Sequence, residues 1–593
     1  MLTISQNSIF TRGISPEVSK VIPLKEAIQR YVRPGMVIHT CQTGVRWCSA
    51  IYYEIARQFW GQEGIFTLVG ISMNFPQSIL VHGRMVKKVI TTYCGDPYYT
   101  PSPNPVFQRA FQEGSLEIEN WSILTLPLRL KAAALGLPYL PTRSLIGSDM
   151  ARENKAYFKV VHDPFSPGNE VGLVKALQPD LSIIHAWLAD PEGNAIFLPP
   201  LVENLYGAMA SREGVLLTVE KIVSVDVIRE YSHLTKLPGI YVKSVSEVPF
   251  GAHPSGLSRV GMREMDLYAE DYEFVEEVHQ KSKDPKELQA WIEEWVLSCR
   301  NHQEYLRKLG YRRILQLKGE SHLDSWRFDI KSIEDLPRTE AYTPLEMAVI
   351  VMSRKLAERV QKEKYRTMLA GAGIANLAAW LCYYRLKEEG YPLELMAEIG
   401  LYGYEPRPMD PSIFNQRNFP TCKMVTDTHT LMGVLMGGEN NRCIGVLGAA
   451  EVDRFGNINS TKISQKRFIV GSGGANDIAS SAREAMVIVL QSRKRLKDKV
   501  FYITSPGRNV STVVSTMGVF EKLKGDSTLS LTGYFRMDDS PPEATIEEIR
   551  SNCGWDLNVS PDVVEIEKPT VKELEMLRVF DPHRYYLGPR PKS

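Results

Sequence analysis

The chain has 593 residues, 44% hydrophobic and 23% charged, a globular balance that excludes disordered, collagen-like and coiled-coil proteins. Lys and Arg number 70 and Asp and Glu 69, a net charge of +1. No basic excess draws the chain onto nucleic acid or an anionic membrane, so an anionic ligand must be held by a local site. No apolar run reaches the roughly 18 residues of a membrane span; the most apolar stretch, Trp121 to Pro141, carries Arg129 and Lys131 and is broken by prolines.

The opening residues MLTISQNSIFTRG lack the basic start and apolar core of a signal peptide. The eight cysteines (Cys41, Cys48, Cys94, Cys299, Cys382, Cys422, Cys443 and Cys553) form no CxxC pair, which argues against a zinc ribbon or thioredoxin motif. The expectation is a reduced, cytoplasmic protein.

Along the chain, short β-type runs alternate with amphipathic ones. Val37–Thr40 reads as a strand, Ser49–Phe59 as a helix, and Ile65–Val69 and Val86–Tyr93 as strands. Leu181–His185 and Val215–Val219 are further short apolar runs, each bounded by turn signals. This alternation predicts an α/β fold with mainly parallel sheets. From about Met262 to Gly310 the sequence turns charged and helical in period, and Gly319–Pro344 reads as a polar linker. A second α/β pattern begins at Pro344. The expected division is residues 1–320 with a helical extension, a linker at 321–341, and 342–593.

The two halves resemble each other. IIHAWLADPEGNAI (Ile183–Ile196) and GVLGAAEVDRFGNINST (Gly445–Thr461) each join an apolar strand to Asp-x-x-Gly-Asn, whose residue types suit a tight turn. Upstream, CQTG (Cys41–Gly44) and GAGIAN (Gly371–Asn376) each follow a strand. Two similar three-layer α/β domains are expected, with the active site between them.

Several residues are candidates for chemistry. Glu398, in LMAEIGLYGY (Leu395–Tyr404), sits between a strand-like run and a glycine turn, where open α/β sheets carry their sites. A glutamate ordinarily has a pKa of about 4.3, so Glu398 is expected to be ionised and nucleophilic at neutral pH. Gly371 and Gly373 open the helical stretch from Ile374, where backbone amides can stabilise an oxyanion. Gly471–Asp477 (GSGGAND) is rich in small residues that allow close backbone approach, and a helix is expected from Ile478 to about Gln491. Taken alone, Glu398 reads first as a surface turn carboxylate and Gly371–Gly373 as tight packing of helix on strand, while the Gly471–Asp477 loop is balanced between packing and function. His253 reads as a structural or exposed loop histidine. No zincin-like spacing is present, so no metal is assigned. Cys41 and Cys48 read as spectator thiols.

Taken in order, longer stretches carry more. In the first half these are PLKEAIQRYVRPGMVI (Pro23–Ile38), AAALGLPYLP (Ala132–Pro141), DPFSPG (Asp163–Gly168), VPFGAHPSG (Val248–Gly256) and HQEYLRKLG (His302–Gly310). In the second they are YTPLEM (Tyr342–Met347), GAGIA, AEIG, EVDRFGNINST (Glu451–Thr461), GSGGANDIA (Gly471–Ala479), TSPGR (Thr504–Arg508) and GWDLNVS (Gly554–Ser560). The first set resembles the α subunit of glutaconate CoA-transferases and the second the β subunit. The chain therefore resembles a family I CoA-transferase with both subunits fused.

The resemblance implies a covalent mechanism. Glu398 would be the nucleophile, passing through an acyl–glutamyl anhydride to an enzyme–CoA thioester. Gly371 and Gly373 would stabilise the oxyanion. Gly473, Gly474 and Ala475 would lie close to the CoA arm or the glutamate. Coenzyme A would be substrate and covalent intermediate, with no tightly bound cofactor, and the protein a homo-oligomer. Two positions depart from the family pattern: Cys41-Gln42-Thr43 stands where a Gly-Gly-Phe loop is common, and Ile399 stands between Glu398 and Gly400 where Asn or Ser is usual. By the resemblance both would alter the pocket near the reacting acyl group, so the acid need not be glutaconate. Thioester hydrolysis, ring-opening C–C hydrolysis or decarboxylation on the same scaffold stay open as alternatives, as does a non-catalytic acyl-CoA sensor.

Overall fold

A computed structural model describes residues 19–40, 46–96, 101–258, 261–262, 265, 267–332 and 339–590. In the first half seven parallel strands form the centre of one sheet. They are β1 (Val37–Thr40), β2 (Phe66–Val69), β3 (Val86–Thr91), β4 (Glu117–Asn120), β5 (Leu181–Ala189), β6 (Val215–Ile222) and β7 (Val242–Glu247). Their spatial order is β7-β6-β5-β1-β2-β3-β4. All nine residues of β5 are buried, as expected of a strand covered on both faces of a parallel sheet.

The second half repeats this core. Strands β8 (Thr367–Ala370), β9 (Glu394–Ala397), β10 (Cys443–Gly448), β11 (Glu484–Val489) and β12 (Val510–Ser515) run parallel in the order β9-β8-β10-β11-β12. Antiparallel strands Gly518–Lys522 and Leu529–Tyr534 extend the sheet beyond β12. In each half the strand order reverses beside the first strand, between β1 and β5 and between β8 and β10. Such reversal points open a crevice at the carboxyl ends of the strands.

The paired Asp-x-x-Gly-Asn turns agree bond for bond. Asp190 Oδ1 accepts from Glu192 N and Asn194 N at 3.0 and 2.9 Å, and Asp453 Oδ1 from Phe455 N and Asn457 N, both at 3.0 Å. Asn194 Oδ1 then accepts from Gly239 N and Asn457 Oδ1 from Gly507 N, each at 2.8 Å. Gly193 and Gly456 sit at φ +94 and +79, the left-handed region that favours glycine. The internal similarity is therefore structural as well as sequential.

One element differs from expectation. The stretch after the glycine loop is a short helix, α1 (Ala475–Ser481), followed at once by β11. Val487 to Val489 is a fully buried β-branched run, and an apolar run of this kind cannot be assigned to helix or strand by periodicity alone. In the polar segment before Pro344, Trp326–Ser332 is helical; residues 333–338 lie outside the described residues.

The helices Tyr272–Ser282, Pro285–Ile292 and His302–Leu309 pack onto the first half. Phe274, Trp291 and Tyr305 share a core with Trp47, Tyr53 and Phe75. His253 belongs to this packing. It is buried, with Nε2 3.0 Å from Asp271 Oδ2 and Nδ1 2.5 Å from Tyr305 Oη, and Arg313 completes the charge balance on Asp271. It anchors a loop to the helices. Between the halves the core is continuous: Ile71, Trp121, Ile123, Leu124 and Leu145 pack in one cluster with the interior of the second sheet.

Candidate active site

Glu398 follows the last residue of β9 in a tight turn. Gly400 N–H donates to Ala397 O at 3.0 Å, which puts Glu398 at the turn's second position. Gly400 has φ +117, and a side chain there would strike Thr426 O. Ile399 is fully buried and points into the core, so the departure from the family pattern at this position is an apolar anchor for the turn. On the far side, Thr426 N donates to Gly400 O at 2.8 Å and Thr428 Oγ1 to Glu398 O at 3.2 Å. The same segment is tied to the first half, through Leu201 N to Thr426 O at 3.0 Å and Thr428 N to Val202 O at 3.3 Å.

The glycine loop reaches Glu398 from another direction and is also stitched across the halves. Gly473 N donates to Thr92 O at 2.9 Å, Ile123 N to Gly473 O at 3.0 Å, and Cys94 N to Val470 O at 2.7 Å. Gly471 has φ +104, and a Cβ there would lie 2.5 Å from Thr92 O and 2.6 Å from Asn120 Oδ1; only glycine allows the approach. At Gly474 an added methyl would collide with Glu398 Oε2. Three residues on, buried Asp477 accepts from Ser122 Oγ at 2.7 Å and Leu124 N at 3.1 Å. Asn476 Oδ1 accepts from Leu145 N at 2.9 Å.

These contacts enclose a cleft of about 180 Å³ between the halves. Ile71, Ser72, Thr92, Tyr93 and Ile123 line it from the first half. Ala372, Leu447 and Gly448 line it from the ends of β8 and β10, together with Glu398, Phe414, Gly473, Gly474 and Ala475. Glu398 and the three loop residues expected near it thus share one cavity. Met432, whose methyl packs beside Gly474, separates it from an open groove of about 520 Å³ that carries Lys131, Arg143 and His429.

Gly371 and Gly373 are placed differently. Gly371 lines the cleft, but its N–H donates to Val446 O at 2.8 Å. Gly373 N–H donates to Asn376 Oδ1 at 2.9 Å as the cap of helix Ile374–Glu388. Both amides are spent on local structure, because the chain uses them to leave β8 and start the helix. In this conformation neither is offered to an oxyanion.

The electrostatics also revise an expectation. Burial, and then the charge of Asp477, push the Glu398 carboxyl up to about 7 against the opposing hydrogen bond from the Gly474 amide. Burial likewise pushes Asp477 up to about 6. Glu398 therefore holds its proton to higher pH than an exposed glutamate, rather than being ionised without help.

Asp477, Thr92, Ile123 and Thr428 carried no role in the sequence reading. Asp477 stood inside the glycine motif, and its position two residues past Ala475 was the available signal. The others supply mainly backbone or hydroxyl contacts, which leave no motif. The Cys41-Gln42-Thr43 departure lies outside the described residues. Cys48 is buried and directs Sγ at Ile183 O, 3.4 Å away. Among the described residues no three His, Cys, Asp or Glu side chains are grouped to hold a metal ion, and no helix is long and apolar enough to cross a membrane.

The sequence matches the family described as Coenzyme A transferase over residues 21–248 and 434–524. The chain belongs to this family. Among its relatives, the A chain of the glutaconate CoA-transferase of Acidaminococcus fermentans is 32% identical over 320 residues, covering 51% of this chain and 95% of that one. The B chain of the 3-oxoadipate CoA-transferase of Pseudomonas knackmussii is 30% identical over 261 residues, 41% of this chain and 94% of that one. A solved acyl-CoA transferase from E. coli O157:H7 shares the fold across 98% of this chain and all of its own length, with a TM-score of 0.62 at 15% identity. One polypeptide thus holds an A-like and a B-like half. The CoA-transferase moves CoA between an acyl-CoA and a carboxylic acid. Glu398 lies between the two matched stretches.

Proposed function

We propose that Glu398 is the glutamate that carries CoA. The observation that supports this reading most is the convergence of the β9 turn and the Gly473–Ala475 loop on one carboxylate in an interdomain cleft. The ionised carboxylate attacks the thioester carbonyl of an acyl-CoA. The C–S bond breaks, CoA leaves as thiolate, and a mixed anhydride with Glu398 forms. The thiolate then attacks the glutamyl carbonyl, releasing the acyl group as its carboxylate and leaving the glutamyl–CoA thioester. An acceptor carboxylate reverses both steps. Anhydride and thioester are both activated acyl groups, so the exchange needs no separate energy source, and one difficult step becomes two easier ones.

Gly473, Gly474 and Ala475 flank the CoA arm beside Glu398. The oxyanion role expected of Gly371 and Gly373 passes to the intervening amide of Ala372, a residue that lines the cleft. Binding of the remote CoA nucleotide is used to expel water and hold the thioester against the carboxylate. We place the enzyme in the cytoplasm as a homo-oligomer, in keeping with the free cysteines at Cys48, Cys94, Cys299, Cys382, Cys422, Cys443 and Cys553; sedimentation analysis tests the assembly.

The test of the reaction is acceptor dependence. Acyl-CoA donors are incubated with and without acetate, and new CoA esters and free CoA are quantified. Transfer predicts acetyl-CoA only when acetate is present. Full release of free CoA without an acceptor would instead assign hydrolysis.

A further inference from the structure

We infer that the acyl group carried by this enzyme is uncharged and apolar, of at most about six carbon atoms, and that acyl groups bearing a second carboxylate are rejected. The inference rests on the reading of Glu398 as the nucleophile and adds the substrate class.

The cleft onto which Glu398 opens has apolar walls: Ile71, Ile123, Phe414, Leu447, Val470 and Ile478. Among the described residues that line it, none is Lys, Arg or His. The stretches 41–45 and 97–100, outside the described residues, contain no Lys, Arg or His in the sequence. The adjoining cation Arg46 is committed elsewhere, with its guanidinium donating to Leu198 O at 2.8 Å and resting 5.2 Å from the Trp187 ring centroid. The hydroxyls are partly spent as well: Thr92 Oγ1 donates to Ile71 O at 2.6 Å and Ser460 Oγ to Gly471 O at 2.7 Å.

Among the described residues that line the cavity, none would repay a second carboxylate with a counter-ion for the water it loses. Such a carboxylate would also sit in the field of Glu398 and Asp477, which carry the same sign. Burial of an unpaired charge beside like charges is strongly disfavoured. An alkyl chain meets no such cost and removes apolar wall from water. A cavity of about 150 Å³ accommodates benzene, so the 180 Å³ here, which also takes the thioester end of the CoA arm, holds a chain of at most about six carbons. The cations Lys131 and Arg143 lie in the groove behind Met432. There Arg143 is bonded to Gly437 O, and Lys131 stands 5.1 Å from the Tyr206 ring centroid.

The experiment measures the rate of glutamyl–CoA adduct formation on the full chain, by intact mass, with hexanoyl-CoA and with glutaryl-CoA. Hexanoyl-CoA should react faster by a factor on the order of 100 or more, the scale of discrimination set by an unpaired polar group. Ile123→Lys supplies a cation on the wall and should narrow that ratio. Lys131→Met should leave it unchanged. Equal rates for the two donors in the wild type would overturn the inference while leaving Glu398 as nucleophile. So would a glutaryl-CoA rate that disappears in Lys131→Met, because the second carboxylate would then be read in the groove. An adduct with neither donor would overturn the assignment of Glu398, and the inference with it.

Discussion

The two halves share a scaffold and differ in the residues just past their second strand. β2 runs into Gly70-Ile71-Ser72 and β9 into Glu398-Ile399-Gly400, and both strands pair in parallel with the first strand of their own sheet. Ile71, Ser72 and Glu398 line the same cleft from opposite sides. One copy therefore supplies the ionisable group and the other an apolar and hydroxyl wall. The turns that hold the scaffold match in both halves, whereas the strand end facing the cleft has diverged. Duplication supplies two crevices, and facing them together makes one enclosed site. Fusion fixes the two halves at equal stoichiometry and at high effective concentration.

The comparison can be broken most severely at Glu398. Glu398→Gln keeps the shape but removes the anionic oxygen, and transfer should fall by about 10³-fold or more, roughly 4 kcal/mol. Steady-state transfer to acetate measures this, and retention of activity within about tenfold would remove the functional asymmetry between the halves.

Gly474→Ala should come next. Gly474 has φ −84, so the backbone accepts alanine, but the methyl displaces the Glu398 carboxylate. Activity should fall by about 10²-fold, a scale set by misplacing a reacting group by about 1 Å. The melting temperature should change little. Loss of stability in parallel with activity would mean that the contact serves packing alone.

A smaller effect is expected from pH. With Glu398 at about 7, kcat/KM should rise with pH through that value, because only the ionised carboxylate attacks. Asp477→Asn removes the like charge and should move the midpoint down, raising the rate at pH 6 by about two- to tenfold. The sign for stability is opposite. Both carboxyls hold protons more tightly folded than unfolded, so their contribution is present below about pH 4 and is lost as pH rises through about 6 to 7. Glu398→Gln should therefore be more stable than wild type at pH 8, by on the order of 1 kcal/mol. Chemical denaturation at pH 5 and 8 separates the two.

The smallest expected difference lies in the matched turns. Asn194→Ala and Asn457→Ala each remove the acceptor of one buried glycine amide and should each cost about 1–3 kcal/mol. Similar losses in denaturant midpoint would confirm equivalence, and clearly unequal ones would show that only one turn supports its half.

Much of this was legible in the sequence. The helix Ser49–Phe59, the strand Val37–Thr40, both Asp-x-x-Gly-Asn turns and the small-residue loops announce themselves through periodicity and turn chemistry. Glu398 stood out as a lone carboxylate at a strand end. Three things did not show. β11 was hidden because a doubly buried strand has no alternation to display. The spent amides of Gly371 and Gly373 were hidden because hydrogen-bond direction depends on where Val446 and Asn376 fall in space. The raised Glu398 carboxyl was hidden because its causes, burial and an Asp477 distant in sequence, exist only after folding.

The central claim is that Glu398 covalently carries CoA. The most direct measurement incubates the enzyme with an acyl-CoA in the absence of acceptor, digests it, and maps the mass increase. The account predicts an adduct of CoA minus water on the peptide containing Glu398, sensitive to borohydride because a thioester is reducible, and absent in Glu398→Gln. An enzyme that turns over with no such adduct, or with the adduct on another residue, would contradict it.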